Sequence, residues 1–374
     1  MTEIISHKFH ETIIREYDIR GIYDETLHNI DAKILGNLFG MEVGHGKTIN
    51  VGFDGRLSSE SLKINLVNGL IDVGINVNEI GLCPTPLLYY SCFELSAQGG
   101  IIVTGSHNPK NHNGFKIVLN NKPFFGEDLK KIKKKAEKFE LKRNEGTFKK
   151  VDLRKKYVSR LVRGIDQSQK INAVWDTGNG VAGVIINDLA DKIYGNKKIL
   201  FGEVDGTFPN HHPDPSEPEN LSFCIDYVIK SKSDVGFAFD GDGDRLGVID
   251  DKGRIISGDK LLLILAKELL KKKKNSKIIA DVKCSQVIFD EIKKFGGEAI
   301  ISKTGHSHVK NNLKKFNAQL AGEMSGHIFF AEDYYGFDDA FFAAVKVIEL
   351  LNRNSKKLSE LVDEIPAVHN TPEI

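Results

Sequence analysis

Asp240, Asp242 and Asp244 alternate with glycines in FAFDGDGDRLGVIDD, directly after an apolar run. In an extended segment alternate side chains share one face. Three carboxylates that close repel one another unless a cation sits between them. Hard oxygen ligands suit Mg2+, with the remaining positions left to water and phosphate. An EF-hand calcium loop would need glycine where Arg245 stands, glutamate where Asp251 stands, and a helix in front of the loop. A plain acidic turn is the other reading, since Asp and Gly are ordinary turn residues. Arg245 could contact a phosphate oxygen or hold an aspartate in position.

A second candidate lies in IIVTGSHNPKNHNGFKIVLNN, which begins at Ile101. Gly105 is expected to supply backbone angles that other residues resist, and Pro109 stops a helix from forming. The loop would then present Ser106 in a fixed way, with His107 beside it and Lys116 on the following apolar run. A polar turn between two strands is the bland alternative. Near the N-terminus, EYDIRG offers Tyr17 and Arg20, where Arg20 either pairs with Asp18 or meets a phosphate. AGEMSGHIFF sets Glu323, Ser325 and His327 at alternate positions, a row able to hydrogen-bond neighbouring sugar hydroxyls or to serve the fold. Gly305 and His306 fall at an expected helix start, a natural place for an anion. Lys283 ends the strand-like IIADVK. A serine on a rigid loop, an acidic triad and scattered Arg, Lys and His residues fit phosphoryl transfer, which is mostly positioning plus electrostatics.

A competing pattern is WDTGNGVAG. Gly178, Gly180 and Gly183 match a dinucleotide-binding turn, and Glu203 follows twenty residues beyond the last glycine. That would make the chain a dinucleotide-dependent oxidoreductase. Asp176 would put negative charge beside a pyrophosphate, and a tight structural turn explains the glycines equally well.

The elements that position these residues follow a repeated plan. KTINVGFD, INVNEIGL and GGIIVTG read as strands, and SESLKINLVNGLIDVG as a helix between them. The alternation restarts at KINAVWD and again at DKLLLILAKELLKKK. Near-continuous apolar strands separated by amphipathic helices predict three tandem α/β domains, with mostly parallel mixed sheets flanked by helices. In such sheets ligands bind outside the carboxyl ends of the strands. The stretch 139–152, charged and poor in large apolar residues, is expected to be a boundary.

Bulk properties narrow the function. The chain has 374 residues, 28% of them charged, and a formal net charge of +1. Two to three domains of ordinary size are expected. A balanced charge argues against nucleic acid or an anionic membrane as partner. The lysine runs at 130–135 and 271–274 suit solvated helix faces. Cys83, Cys92, Cys224 and Cys284 form no Cys-x-x-Cys pair, so neither zinc nor a disulfide framework is indicated. No apolar stretch reaches the ~18 residues needed to span a bilayer. The opening MTEIISHKFH has no signal-peptide core, so a cytoplasmic location is expected.

Taken in order, EYDIRG, TGSHNPKNHNGFK, DGDGDR and GEMSGH resemble the signature loops of the α-D-phosphohexomutase superfamily. The resemblance is greatest to its bacterial phosphomannomutase/phosphoglucomutase branch. GFDGRLSS, PTPLLYY, GNGVAG, PNHHPDP, DVKC and KTGHS agree, so the match runs across essentially the whole chain. It implies a phosphoserine at Ser106 and Mg2+ held by that phosphate with Asp240, Asp242 and Asp244. Arg20 and Arg245 would lie beside the transferring phosphate, with His107 and Lys116 as candidates for proton transfer. Glu323 and Ser325 would read the sugar hydroxyls O3 and O4, while Tyr17, Lys283, His306 and His327 line the cleft. The phosphoserine would donate to O1 or O6 of a hexose monophosphate, with hexose 1,6-bisphosphate as intermediate and activator. Met324 resembles the mannose/glucose branch more than the glucosamine branch, where glutamine usually stands. The implied domains are 1–150 with the phosphoserine loop, 151–253 with the metal loop and 254–366 with the sugar loop. Residues 367–374 would begin a fourth, whose Arg/Ser/Thr-rich loop grips the non-transferring phosphate. That domain, or a separate chain supplying it, would anchor the substrate. Without it, serine phosphorylation and Mg2+ binding are expected to survive, with turnover weak or absent. The chain would then act as a fragment that binds Mg2+ and phosphosugar.

Overall fold

The computed structural model describes residues 2–367. The expected start of a fourth domain, 367–374, lies almost wholly outside the described residues. Three mixed sheets flanked by helices follow one another along the chain, and each contains the same kernel. In the first, Thr48–Phe53 lies between Asn76–Leu82 and Gly99–Val103, all parallel, and His112–Leu119 returns antiparallel beside Gly99–Val103. In the second, Ala173–Asp176 lies between Lys197–Leu200 and Val235–Phe239, and Leu246–Asp250 returns antiparallel. In the third, Lys277–Asp281 lies between Glu298–Ser302 and Leu320–Gly322, and Ile328–Phe330 returns antiparallel.

Each kernel thus ends in a hairpin at the carboxyl end of its third parallel strand. The three hairpin loops are 104–111, 240–245 and 323–327. They carry Ser106, the aspartate triad, and the Glu323–His327 row. The sequence motifs therefore occupy one topological slot, repeated three times, at the edge of the sheet where open α/β folds place ligands.

Two additions complete the first sheet. Ile19–Ile22 pairs antiparallel with His112–Leu119, placing Arg20 opposite Gly114. Phe148–Lys150 runs parallel to Asn76–Leu82, and Phe139–Lys142 pairs with Thr2–Ile5. The charged stretch 139–152 therefore contributes an edge strand to the first sheet and one strand of a separate two-stranded sheet. Phe139 and Leu141 point inward while their charged neighbours face water.

Apolar burial ties the three sheets together. Gly99–Val103 and Val235–Phe239 are buried throughout, as their apolar runs require. One continuous cluster includes Leu87 and Tyr89, Trp175 and Phe237, and Leu262 and Phe341, so it crosses all three modules. A separate core lies under the helices Asn29–Val43 and Ser59–Asp72. Those helices approach closely at two glycines, where a Cβ on Gly69 would come within 2.1 Å of the Lys33 carbonyl oxygen.

Candidate active site

Ser106 is 2% exposed, and its Oγ donates to Asp240 Oδ2 at 3.0 Å. His107 Nδ1 lies 3.2 Å from the same oxygen. The unusual backbone angle belongs to Ser106 itself, with φ at +48°, and not to Gly105. A side chain in that region is strained by roughly 1–3 kcal/mol and persists only where its surroundings hold it. Gly105 is glycine for space, since a Cβ there would come within 2.3 Å of Arg56 Cζ. Asp54 fixes the loop from below: its Oδ2 accepts from Thr104 Oγ1 at 2.8 Å and from the Gly105 N–H at 3.1 Å. Thr104 Oγ1 in turn accepts from the Ser106 N–H at 2.8 Å.

The acidic loop is turned, not extended. Gly243, at φ +73°, donates its N–H to the Asp240 carbonyl, and Asp240 Oδ1 accepts from the N–H groups of Asp244 and Arg245. The turn, and not strand alternation, brings oxygens of Asp240, Asp242 and Asp244 within 4.8 Å of one another. All three carboxylates are fully buried. Lys116, on the returning strand of the first sheet, lies 2.7 Å from Asp242 Oδ2 and also donates to Asp244. Thr85, which opens the helix Thr85–Glu94, donates its hydroxyl to Asp242 Oδ2 at 2.5 Å.

These charges set the protonation pattern. Burial and the neighbouring Asp242 and Asp244 push the Asp240 carboxyl well up. Burial works against the charges of Asp242 and Asp244, but Lys116 together with Thr85 at Asp242 and with His327 and His306 at Asp244 holds both down. Lys116 is likewise kept protonated by Asp242 and Asp244 despite its burial. His107 is driven down to about 2 by burial and by Arg245, Arg20 and Lys116. It is a neutral imidazole beside the serine. Asp242 Oδ1 and Asp244 Oδ1 are buried without a hydrogen-bond partner. Three hard oxygen donors, with Asp242 Oδ1 unpartnered and Asp244 Oδ1 faced only by His327 at 3.3 Å, fit a divalent cation such as Mg2+.

The other expected residues divide into those that join the cluster and one that does not. Arg20 is buried and donates Nε to Asp18 Oδ2 at 2.7 Å, while its Nη1 has no partner. Arg245 Nε is also buried without a partner, and its Nη1 stands 4.0 Å from Asp214 Oδ1. His327 lies between Asp244 Oδ1 at 3.3 Å and Glu323 Oε2 at 3.1 Å, and Ser325 Oγ is 2.9 Å from its Nδ1. Burial opposes its charge, but Asp244 and Glu323 raise it to about 9. The expected anion position at the helix His306–Phe316 is filled from within, since Glu323 Oε1 accepts from the Gly305 N–H at 2.6 Å. His306 stacks on His327 with ring centroids 5.6 Å apart and contacts Asp338 and Lys310. Tyr17 is 37% exposed and lies over Gly305, its ring edge toward His308. Lys283 sits exposed in the turn after Lys277–Asp281, outside the buried cluster.

Models of phosphoglucomutase/phosphomannomutase α/β/α domains I, II and III match residues 11–143, 155–253 and 257–369, in that order. The chain belongs to this family. It is 40% identical to a phosphomannomutase/phosphoglucomutase of Pseudomonas putida, over all of this chain and 81% of the relative. It is 39% identical to a phosphoglucomutase of Neisseria gonorrhoeae, over 97% of this chain and 79% of the relative. A crystal structure of a phosphoglucomutase/phosphomannomutase family protein from Burkholderia thailandensis superposes with a TM-score of 0.91 at 39% identity. It covers 96% of this chain and 81% of that one. The protein is thus a phosphohexomutase, an isomerase of phosphosugars, with an acidic cluster suited to a metal ion. Among the described residues no helix is long and apolar enough to cross a membrane.

The dinucleotide pattern has a structural explanation in this phosphohexomutase. Asp176 Oδ1 accepts from the Gly178 N–H and contacts His211 Nε2, both at 3.0 Å, filling the turn with a carboxylate. A Cβ on Gly183 would come within 2.2 Å of the Gly202 carbonyl oxygen, so that glycine permits close packing.

Several supporting residues had no predicted role. Arg56 and Asp54 hold the serine loop, Thr85 holds Asp242, and His212 contacts the His107 carbonyl oxygen at 2.5 Å. Asp214 stands beside Arg245. All lie in stretches that match the family, GFDGRLSS, PTPLLYY and PNHHPDP, but their partners are distant in sequence.

Proposed function

We propose that the chain interconverts hexose 1-phosphate and hexose 6-phosphate of mannose, glucose or both, with Ser106 as the phosphoryl carrier. The observation that carries this is the meeting of three equivalent hairpin loops, Ser106 against Asp240 and His327 against Asp244. The Ser106 hydroxyl rests on Asp240, and two arginines with unpartnered buried N–H groups share the cluster. Arg20 Nη1 and Arg245 Nε are donors suited to phosphate oxygens. Asp240, Asp242, Asp244 and the serine phosphate would hold Mg2+, which when bound offsets the charge on the phosphoryl oxygens.

In the transfer the Oγ–P bond breaks and a bond from phosphorus to the sugar O1 or O6 forms. The proton of the attacking sugar hydroxyl ends on Ser106 Oγ as that oxygen leaves, with His107, 3.2 Å from Oγ, as the candidate relay, while Lys116 stays charged and balances the carboxylates. Glu323 is fixed by Gly305 and His327 before sugar arrives, so with Ser325 it offers a preset pair of hydrogen-bonding groups. Tyr17 and His306 would complete the cleft wall. Hexose 1,6-bisphosphate would prime the serine. Met324, between the two sugar-reading residues, favours neutral hexoses over amino sugars.

A substrate panel tests this. Mannose 1-phosphate, glucose 1-phosphate and N-acetylglucosamine 1-phosphate are each incubated with the chain, Mg2+ and a trace of bisphosphate. Formation of mannose or glucose 6-phosphate is expected. Isomerisation of the amino sugar alone would overturn the substrate assignment.

A further inference from the structure

Arg56 is 3% exposed, and its guanidinium is spent on one loop. Nη2 donates to the carbonyl oxygens of Ser106 and Asn108, both at 2.6 Å. Nη1 donates to those of Pro109 at 2.5 Å and His112 at 3.0 Å. Four acceptors between 106 and 112 therefore converge on one planar fork. Asp54 stands 3.3 Å from Nε and balances the charge while holding Thr104 and Gly105. The other face of the guanidinium is covered from the second module, where the Phe208 ring centroid lies 5.2 Å away. A Cβ on Gly206 would come within 2.7 Å of Arg56 Cα, so that module packs directly on the clamp.

Buried carbonyls can be satisfied in many ways, yet this arrangement coincides with the one strained residue of the loop. Ser106 holds φ at +48° without being glycine, and its own carbonyl is a clamped acceptor. Gly105 is the matching accommodation, because any side chain there would strike the guanidinium. A lysine could not substitute, since an ammonium is a point donor and lacks the planar fork.

We propose that Arg56 is a positioning residue for phosphoryl transfer, its guanidinium clamping the 106–112 loop so that Ser106 Oγ stays on Asp240. This rests on the reading that Ser106 carries the phosphoryl group. The Arg56 guanidinium donates to four backbone carbonyls and acts through the backbone of the serine loop.

The test is the rate at which hexose 1,6-bisphosphate with Mg2+ phosphorylates the full chain, followed by quench and intact mass. Parent, Arg56→Lys, Gly105→Ala, the double variant and Ser106→Ala are compared, with melting curves giving the folded fraction. Misplacing reacting atoms by about 1 Å is enough for a loss of roughly 100-fold. Arg56→Lys and Gly105→Ala are each expected to slow labelling by about that factor, with the half-saturating bisphosphate concentration unchanged. The double variant should be no slower than Arg56→Lys, because the added methyl no longer meets a guanidinium. Labelling at the parent rate, a loss that matches the unfolded fraction alone, or multiplied effects in the double variant would overturn the proposal. If Arg56→Lys does not fold, Gly105→Ala decides by the same rate. No label in the parent, or label persisting in Ser106→Ala, would sink the phosphoserine reading instead.

Discussion

Asp339 joins the second module to the third, and its carboxylate predicts a pH-dependent stability. Its Oδ2 accepts from Tyr157 at 2.8 Å and from Tyr334 at 2.7 Å. Its Oδ1 accepts from the Phe342 N–H at 3.0 Å and caps the helix Ala340–Arg353. Tyr157 comes from the helix Arg154–Leu161, and Arg160 of that helix lies 4.7 Å from the Tyr334 ring centroid. Burial pushes the Asp339 carboxyl from 3.8 up to about 6, against the downward pull of those hydrogen bonds. The folded chain therefore binds this proton more tightly than the unfolded chain. Stability from the group is fully present below about pH 3.8 and is lost as pH rises through about 6. Two pKa units correspond to about 3 kcal/mol. Asp339→Asn removes the charge and keeps an oxygen for the Phe342 N–H. Its amide hydrogens can be accepted by the two tyrosine oxygens, whose hydroxyls turn to suit. The variant should gain about 2 kcal/mol over the parent between pH 4 and pH 7, most of it below pH 6. Urea unfolding of both proteins at pH 4, 5, 6 and 7 measures the difference, in which the other carboxylates cancel. A difference that stays flat across that range would refute the reasoning.

Other perturbations follow from the same geometry. Lys116→Met leaves Asp242 and Asp244 buried without their ammonium, a loss of about 3–5 kcal/mol in the metal-free chain. Mg2+ should then raise the variant's melting temperature more than the parent's, and an equal or smaller rise would contradict the assignment of these carboxylates to the cation. Thr85→Val removes a buried hydroxyl bound to a carboxylate and should cost about 1.5–3 kcal/mol, read by chemical unfolding. NAD+ or NADH should leave Trp175 fluorescence unchanged, because Asp176 already occupies the glycine turn. A saturable change would restore the dinucleotide reading.

Groupings of residues within a few consecutive positions were legible in the sequence. The triad of Asp240, Asp242 and Asp244 and the exposed logic of the Ser106 loop are local patterns, and alternating apolar runs predicted the α/β modules. The details of backbone shape were less legible. Alternation suggested an extended acidic segment, whereas Gly243 turns it. Gly105 suggested unusual backbone angles, whereas Ser106 adopts them and Gly105 makes room for Arg56. Strand order is not written in any one segment, so the common hairpin slot of the three site loops emerged only from the pairing of strands. Arg56 reaches carbonyls fifty or more positions away, and Thr85 meets Asp242 across 157 positions. No window of sequence brings such partners together. The Gly305–His306 helix start did look like an anion site, and it is one, occupied by the chain's own Glu323.

The most direct test of the central claim is a phosphorus NMR time course. The chain is given Mg2+, mannose 1-phosphate and a trace of hexose 1,6-bisphosphate, beside Ser106→Ala under the same conditions. The account predicts a protein-bound phosphate resonance and 6-phosphate formation, however slow, in the parent, both lost in the variant. Isomerisation by Ser106→Ala at the parent rate would contradict it.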